Sequence, residues 1–159
     1  MRLTETIANL KRLKADVKKQ PVEKFDMGVF GERTRAPKGK ATACGTTCCA
    51  LGTAALDPYF QAKGLDHTWK KTVGEDKFYY MSIFKAGGTN DNRVDTAIQA
   101  GADVIGITYS EAYSIFMQTT HTKKKVLSSI QDLIEQYQAL YKDKRSELES
   151  EFKSQVAQL

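Results

Sequence analysis

The residues best suited to chemistry lie between positions 33 and 52, where a basic stretch precedes a run rich in small residues, threonines and cysteines. If that run starts a helix near Cys44, its free backbone N–H groups and the helix dipole favour an anion there. The preceding Arg and Lys side chains would add charge-assisted hydrogen bonds to the same anion. The sequence therefore predicts a binding site for an anionic, nucleotide-like small molecule. The predicted residues are Arg33, Arg35, Lys38, Lys40, Thr42, Cys44, Gly45, Thr46 and Thr47.

The same residues also fit a purely structural interpretation, in which small side chains let a central helix pack tightly and the basic loop is a solvated connection. Gly52 would then let another part of the chain approach closely. A catalytic thiol is the sharper alternative, because a helix N-terminus beside cations lowers the pKa of a cysteine. Cys44 is the candidate, but its base would have to be His67 or His121, and neither lies at an interpretable spacing. We expect a non-enzymatic protein with no catalytic residue.

The cysteine pattern does not predict a metal site. Cys48 and Cys49 are adjacent, whereas zinc ligands are usually separated by two to four residues, and no second pair follows. Three cysteines within six positions form no disulfide framework and are typical of free thiols in a reducing compartment. We therefore expect no metal and no cofactor.

The net charge of +5 is concentrated towards the start of the chain. Residues 1–40 hold eleven Lys and Arg against five Asp and Glu, and the remaining residues are close to neutral. A local positive field favours an anionic partner, whether a nucleotide, a nucleic acid or an acidic protein. No stretch approaches the roughly 20 apolar residues of a membrane span, and no signal-peptide core follows Met1. We expect a cytoplasmic protein with no membrane partner.

Apolar periodicity over 159 residues predicts one core and an α+β, mostly helical fold. The first element is an amphipathic N-terminal helix that ends before Pro21. Phe25–Phe30 forms a short alternating segment that could join a sheet. A buried central helix is predicted at Cys44–Leu56, and Asp57 should N-cap a short helix that Gly64 stops.

The middle of the chain predicts the sheet and a pair of helices. Aromatic and β-branched residues indicate a small β-hairpin formed by Trp69–Val73 and Phe78–Phe84. A helical hairpin follows, with one helix at Asn90–Val104 and a second that begins at a capping box of Thr108 and Glu111. These strands are the only ones that the pattern indicates clearly.

The helical hairpin has a functional alternative, a DNA-binding helix-turn-helix between Ala97 and Met117. Its second helix carries Glu111 and no Lys or Arg, whereas a helix in the major groove normally contacts bases and phosphates with cationic or amide side chains. A plain helical hairpin in the core is the preferred interpretation. Whether this unit binds DNA stays open.

The C-terminal region predicts one long amphipathic helix. An apolar stripe with helical spacing runs through Val126, Ile130, Leu133, Tyr137 and Leu140, and it resumes at Leu148, Phe152, Val156 and Leu159. An unbroken helix over Thr122–Gln158 would measure roughly 55 Å, more than the width of such a domain. We assign residues 1–141 to a single globular domain and residues 142–159 to a helical extension. The stripe predicts a homo-oligomer through this helix, and a break at Lys142–Ser146 with the end folded back is the alternative.

Three motifs in this order resemble a family of small tailed-phage proteins. They are Phe25-Asp26-Met27 after the opening helix, the run Cys44-Gly45-Thr46-x-x-Cys49-Ala50-x-Gly52, and the helix Gly106-Ile107-Thr108-x-x-Glu111-Ala112-x-x-x-Phe116. The resemblance covers most of the chain between Leu3 and Ile134.

The resemblance implies a phage origin and no established activity. By analogy with small phage proteins that act on the host, we expect a non-enzymatic accessory protein in the host cytoplasm. It would bind an anionic nucleotide-like ligand and sequester a host immune signal. The alternatives are an accessory protein that binds nucleic acid or a host protein, and a virion component.

Overall fold

The computed structural model describes residues 2–33, 46–71, 74, 77–88 and 93–156. It confirms the predicted α+β, mostly helical fold with a small antiparallel sheet and a long C-terminal helix. In chain order the described helices and strands are α1 (Leu3–Lys19), a 3₁₀ helix (Val22–Lys24), β1 (Glu32–Arg33), α2 (Ala50–Leu56), α3 (Pro58–Ala62), β2 (Leu65–Lys71), β3 (Phe78–Lys85), α4 (Val94–Ile105), α5 (Tyr109–Phe116) and α6 (Lys123–Val156).

Helix α1 is amphipathic as predicted, and it lies between α2 and α6. Leu10, Leu13 and Val17 are fully buried because their spacing places them on one face of the helix. The buried amide of Asn9 donates hydrogen bonds to the carbonyls of Val104 and Ile105, at 3.2 and 3.0 Å. These two carbonyls lie in the last turn of α4, where no backbone N–H of the same helix can donate to them, so Asn9 supplies the missing donor. These bonds tie the first helix of the chain to the end of the fourth.

The central helix is buried as predicted, but its predicted start at Cys44 is wrong. Helix α2 begins at Ala50, and Cys49 is its N-cap, with its thiol accepting a hydrogen bond from the Gly52 amide at 3.4 Å. Residues 46–49 are not helical because their backbone groups bond to Lys24, Val29 and Glu32. A side chain at Gly52 would clash with the Phe30 carbonyl oxygen, since an added Cβ would lie 1.5 Å from it. The predicted close approach at this glycine is therefore confirmed.

Local signals set the next elements as predicted. Asp57 caps α3 by accepting the Tyr59 amide at 3.0 Å, and Pro58 occupies the first turn. Gly64 ends this unit with a φ of 96°, which a side chain would disfavour. The hairpin of β2 and β3 is also present, although Val73 lies outside the described residues.

The sheet has the order β1-β3-β2, with antiparallel pairs throughout. The strand next to β3 is Glu32–Arg33, so the predicted contribution of Phe25–Phe30 to the sheet is wrong. Within the described residues, Phe25 forms an isolated bridge to Cys48. Helix α4 packs against β3 and α5, and the Thr108–Glu111 capping box at the start of α5 is present as predicted.

Helix α6 is continuous over 34 residues, so the alternative break at Lys142–Ser146 is wrong. Val126 and Ile130 are fully buried, and α1 packs along this half of the helix. Every residue from Gln138 to Ser154 is exposed. The second half of α6 therefore extends away from the core as a helix of roughly 25 Å, at 1.5 Å per residue.

Candidate functional site

Most of the predicted ligand site lies outside the described residues: Arg35, Lys38, Lys40, Thr42, Cys44 and Gly45. The backbone of Arg33 belongs to β1, and its side chain is not described. Thr46 is fully buried and Thr47 is half-buried, and neither lies at a helix start. The predicted role of these nine residues in ligand binding stays a prediction, but its helical basis at Thr46 and Thr47 is wrong.

The two described ends of the basic segment meet. The Glu32 amide donates to the Thr47 carbonyl at 2.7 Å, and the Thr47 amide donates to the Glu32 carbonyl at 2.8 Å. The neighbouring Thr46 carbonyl accepts the side-chain amide of Gln20 at 2.9 Å. Glu32 and Thr47, which flank residues 34–45 in the sequence, therefore lie close to the C-terminal end of α1. Residues 34–45 contain three cations and no carboxylate.

The two described thiols are poorly suited to nucleophilic chemistry. Burial raises the pKa of Cys48 to about 12 and that of Cys49 to about 11. The hydrogen-bond contacts of the Cys48 sulfur are with Gln20 and Thr53 at 3.5 and 3.4 Å. At neutral pH both groups are therefore thiols, and the thiolate, which is the nucleophilic form, is scarcely populated.

A groove between α1 and α6 brings together cations that the sequence analysis did not connect. It has a volume of about 440 Å³ and is lined by Lys11, Lys14, Ala15, Lys18, Gln131, Ile134 and Gln138. The lysines share one face of α1 because they are spaced by three and four residues. Two glutamine amides and an isoleucine form the opposite wall, so a ligand would meet cations, hydrogen-bonding amides and an apolar contact.

The charge of this groove is positive. Within the described residues Lys11 and Lys18 form no ion pair, while Lys14 donates to the Gln131 side-chain carbonyl at 2.6 Å. No carboxylate lines the groove. The nearest acidic group in the hydrogen-bond network is Glu135, which accepts the Gln131 amide at 2.6 Å. Free ammonium groups over amides favour an anionic ligand.

The groove opens towards further lysines at the start of α6. The Lys123 ammonium donates to the carbonyls of Lys18, at 3.0 Å, and Gln20, which joins the end of α1 to the start of α6. Lys124 and Lys125 follow and are exposed. Gln20 also holds Thr46, where the basic segment returns. We call Lys11, Lys14, Lys18, Lys123, Lys124 and Lys125 the basic surface.

A second cleft, of about 600 Å³, lies between the end of β3 and the start of α4. Lys85 and Arg93 line it together with Asp95 and Asp103, so its charges balance. Lys85 lies 3.9 Å from Asp103. This cleft is larger than the α1–α6 groove, but its electrostatics favour no anion.

A buried pair of carboxylates shares one cation at the outer face of α1. Arg12 donates to both oxygens of Asp57, at 2.7 and 3.0 Å, and lies 3.4 Å from Asp16. Burial, followed by the neighbouring Asp57 carboxylate, raises the pKa of Asp16 to about 7. Burial also opposes the ionisation of Asp57, but its bonds from Arg12 and the Tyr59 amide prevail and lower its pKa. Because Asp57 caps α3, this cluster has a structural role.

The sequence does contain one signal for the basic wall of the groove. Lys11, Lys14 and Lys18 lie on one helical face, and that face differs from the buried face that defines α1. Nothing in the local pattern shows that α6 supplies the other wall, since Gln131 is more than 110 residues from Lys14.

None of the described helices is both long and apolar enough to cross a membrane. No protein-family model matches the chain, and no curated protein or solved structure matches it.

Proposed function

We propose that this protein is a non-enzymatic binder of a phosphate-bearing, nucleotide-like anion, and that the α1–α6 groove forms its site. The observation that carries the proposal is a groove lined by three lysines and no carboxylate. Its volume of about 440 Å³ falls in the range of small-molecule sites, roughly 300–1,000 Å³. Residues 33–40 carry four further cations in the sequence, and the next described residue, Thr46, bonds to Gln20 at the end of α1.

The test is a thermal-shift series with nucleoside mono- and triphosphates and cyclic dinucleotides at low salt. A ligand at 100 times its Kd should stabilise the protein by about 2.7 kcal/mol, which corresponds to roughly 5–10 °C in Tm for a domain of this size. The double variant Lys11→Glu/Lys18→Glu should lose this shift, because it reverses two cations that line the groove.

The matched control is Lys70→Glu/Lys85→Glu, which changes the net charge equally on β2 and β3. The control should keep the full shift, and Arg33→Glu/Arg35→Glu should lose part of it if the basic segment contributes. If the groove variant and the control lose the thermal shift equally, net charge alone explains the loss, and the groove is not the site. No shift with any nucleotide would reject a nucleotide-like ligand.

A nucleic acid is the second candidate, and the extent of the basic surface favours it. From Lys124 to Gln138 the groove side of α6 measures about 21 Å, at 1.5 Å per residue. That length corresponds to roughly six nucleotides of one strand, at about 3.4 Å per nucleotide. Binding of an oligonucleotide should then weaken steeply with salt, because each neutralised phosphate releases counterions. A salt-independent or absent signal at low salt would remove this candidate.

The biological setting of the proposal rests on the resemblance to phage proteins. A phage accessory protein of this kind would act in the host cytoplasm and sequester a nucleotide signal of host immunity. Binding to a host protein or a place in the virion are the alternatives. A pull-down of radiolabelled cyclic dinucleotide from solution, with recovery of intact ligand after denaturation, would distinguish sequestration from turnover. Recovery of a hydrolysed product would reject the non-enzymatic role.

A further inference from the structure

Lys14 is the central cation of the α1–α6 groove. Along the helix axis it lies about 4.5 Å from Lys11 and about 6 Å from Lys18, at 1.5 Å per residue. Lys11 and Lys18 are exposed, whereas Lys14 is half-buried. Among the described residues, the Lys14 ammonium is also the only one of the three with a hydrogen bond, and its partner is Gln131. The contact with Gln131 therefore decides what charge the middle of the groove offers to a ligand.

Gln131 lies between Lys14 and a carboxylate. Its Oε1 accepts the Lys14 ammonium at 2.6 Å, and its Nε2 donates to Glu135 Oε1 at 2.6 Å. Both partners favour the same orientation of the amide, because an ammonium only donates and a carboxylate only accepts. Glu135 follows Gln131 by four residues, so its carboxylate lies on the same side of α6. Without the amide between them, Glu135 and Lys14 would be free to form an ion pair.

An amide contact and an ion pair would leave different charges in the groove. A carboxylate bound to Lys14 would cancel most of its field, whereas the neutral carbonyl of Gln131 leaves the positive charge in place. The amide uses one of the three N–H donors of the ammonium, and the other two have no partner among the described residues. Glu135 itself does not line the groove. An anion in the groove therefore meets a charged Lys14 that still has donors to offer.

We infer that Gln131 is a positioning residue, which keeps Lys14 available to the phosphates of a nucleotide ligand by separating it from Glu135. The inference rests on the proposed function of the groove and adds the residue that maintains its charge. Gln131 acts through Lys14 and Glu135, so its contribution to binding depends on both partners. Two cycles of variants measure these dependences.

The first experiment measures the Kd of ATP at low salt by isothermal titration calorimetry. ATP is the probe because its three linked phosphates can reach all three lysines of the groove. Gln131→Ala should raise this Kd at least about fivefold, because Lys14 then pairs with Glu135. Glu135→Gln should change the Kd of the wild type by less than about twofold, since Glu135 is exposed. The same change in Gln131→Ala should lower the Kd at least about fivefold and so restore binding.

The matched control is Asp132→Asn, which removes an exposed carboxylate from the position next to Gln131 on α6. It should change the Kd of ATP by the same factor in the wild type and in Gln131→Ala, and circular dichroism should show equal helix in all variants. If Glu135→Gln also has equal effects in the two backgrounds, Glu135 acts through net charge alone. That result overturns the inference and leaves the proposed function standing. A wild type that binds no ATP overturns both.

The second experiment tests whether Gln131 acts through Lys14. In the variant Lys14→Met, ATP should still bind through Lys11 and Lys18, although more weakly. Gln131→Ala should then change the Kd by less than about twofold, because no ammonium remains to be kept apart from Glu135. A Gln131 amide that contacted the ligand itself would lose the same affinity in both backgrounds. A loss in Lys14→Met as large as that in the wild type would therefore overturn the positioning role.

Discussion

Replacement of Asp16 by Asn should make the protein progressively more stable than the wild type as the pH rises from 4 to 8. Asp16 and Asp57 both face Arg12, and their side chains are 12% and 6% exposed. No donor among the described residues bonds Asp16 Oδ2. An ionised Asp16 therefore lies beside a second carboxylate, and the two share one cation. Asn removes the charge of Asp16 and with it the unfavourable interaction.

The sign of the effect follows from proton binding. The pKa of Asp16 rises from 3.8 in the unfolded chain to about 7 in the folded protein. Between pH 4 and 7 the folded state therefore holds a proton that the unfolded state has released, so the wild type loses stability as the pH rises through this window. Above the folded pKa the loss is complete. Asp16→Asn does not titrate and should lack this slope.

The magnitude is smaller than the pKa alone implies. A rise of about three units corresponds to roughly 4 kcal/mol. Arg12 is 46% exposed, so solvent screens the cluster and we expect about 1–2 kcal/mol. Urea unfolding followed by circular dichroism at pH 4, 6 and 8 measures the gap between variant and wild type, and carbon-detected NMR measures the Asp16 titration directly.

The control is Asp132→Asn, which neutralises an exposed carboxylate on α6. Its stability relative to the wild type should not change with pH by more than a few tenths of a kcal/mol. The reasoning fails if the gap for Asp16→Asn stays constant between pH 4 and 8, or if it reverses and the variant becomes less stable at pH 8.

Three further changes test the packing. Gly52→Ala should lower the free energy of unfolding, measured with urea, by more than about 3 kcal/mol, because the added Cβ would lie 1.5 Å from a carbonyl oxygen. The control Gly28→Ala should lower it by less than about 1 kcal/mol, because its Cβ would lie 3.2 Å from the movable carboxylate of Asp26. Thr108→Ala should cost about 1 kcal/mol by removing the capping box of α5, and an unchanged urea midpoint would contradict that role. In the variant Cys44→Ser, Cys48 and Cys49 should react with a thiol reagent at pH 7.5 only after unfolding, and rapid labelling of this variant in its native state would contradict their burial.

Local signals in the sequence determined much of the fold. The apolar periodicity of α1 and α6 sets which helical face is buried, and it needs no information from distant residues. The Asp57 cap and the Thr108–Glu111 capping box each act within four residues, so their types and spacing suffice. The hairpin of β2 and β3 follows from two β-rich segments separated by a short turn.

The start of α2 depended on the tertiary structure. The run from Cys44 to Leu56 has the composition of a buried helix, yet residues 46–49 are extended, because the Thr47 and Cys48 amides bond to the Glu32 and Lys24 carbonyls. Those partners are 15 and 24 residues earlier in the chain, and no local pattern reveals them. The same contacts bury Cys48 and raise the pKa of its thiol.

The sequence by itself determined where positive charge accumulates in the chain, but the tertiary structure decided which cations share a site. Lys11, Lys14 and Lys18 form one wall of the groove only because α6, more than 100 residues later, packs beside α1. Likewise, the apolar stripe of α6 was visible in the sequence, while the point at which its burial stops was not. That point depends on the length of α1, which packs along the first half of α6 and leaves residues 138–154 exposed.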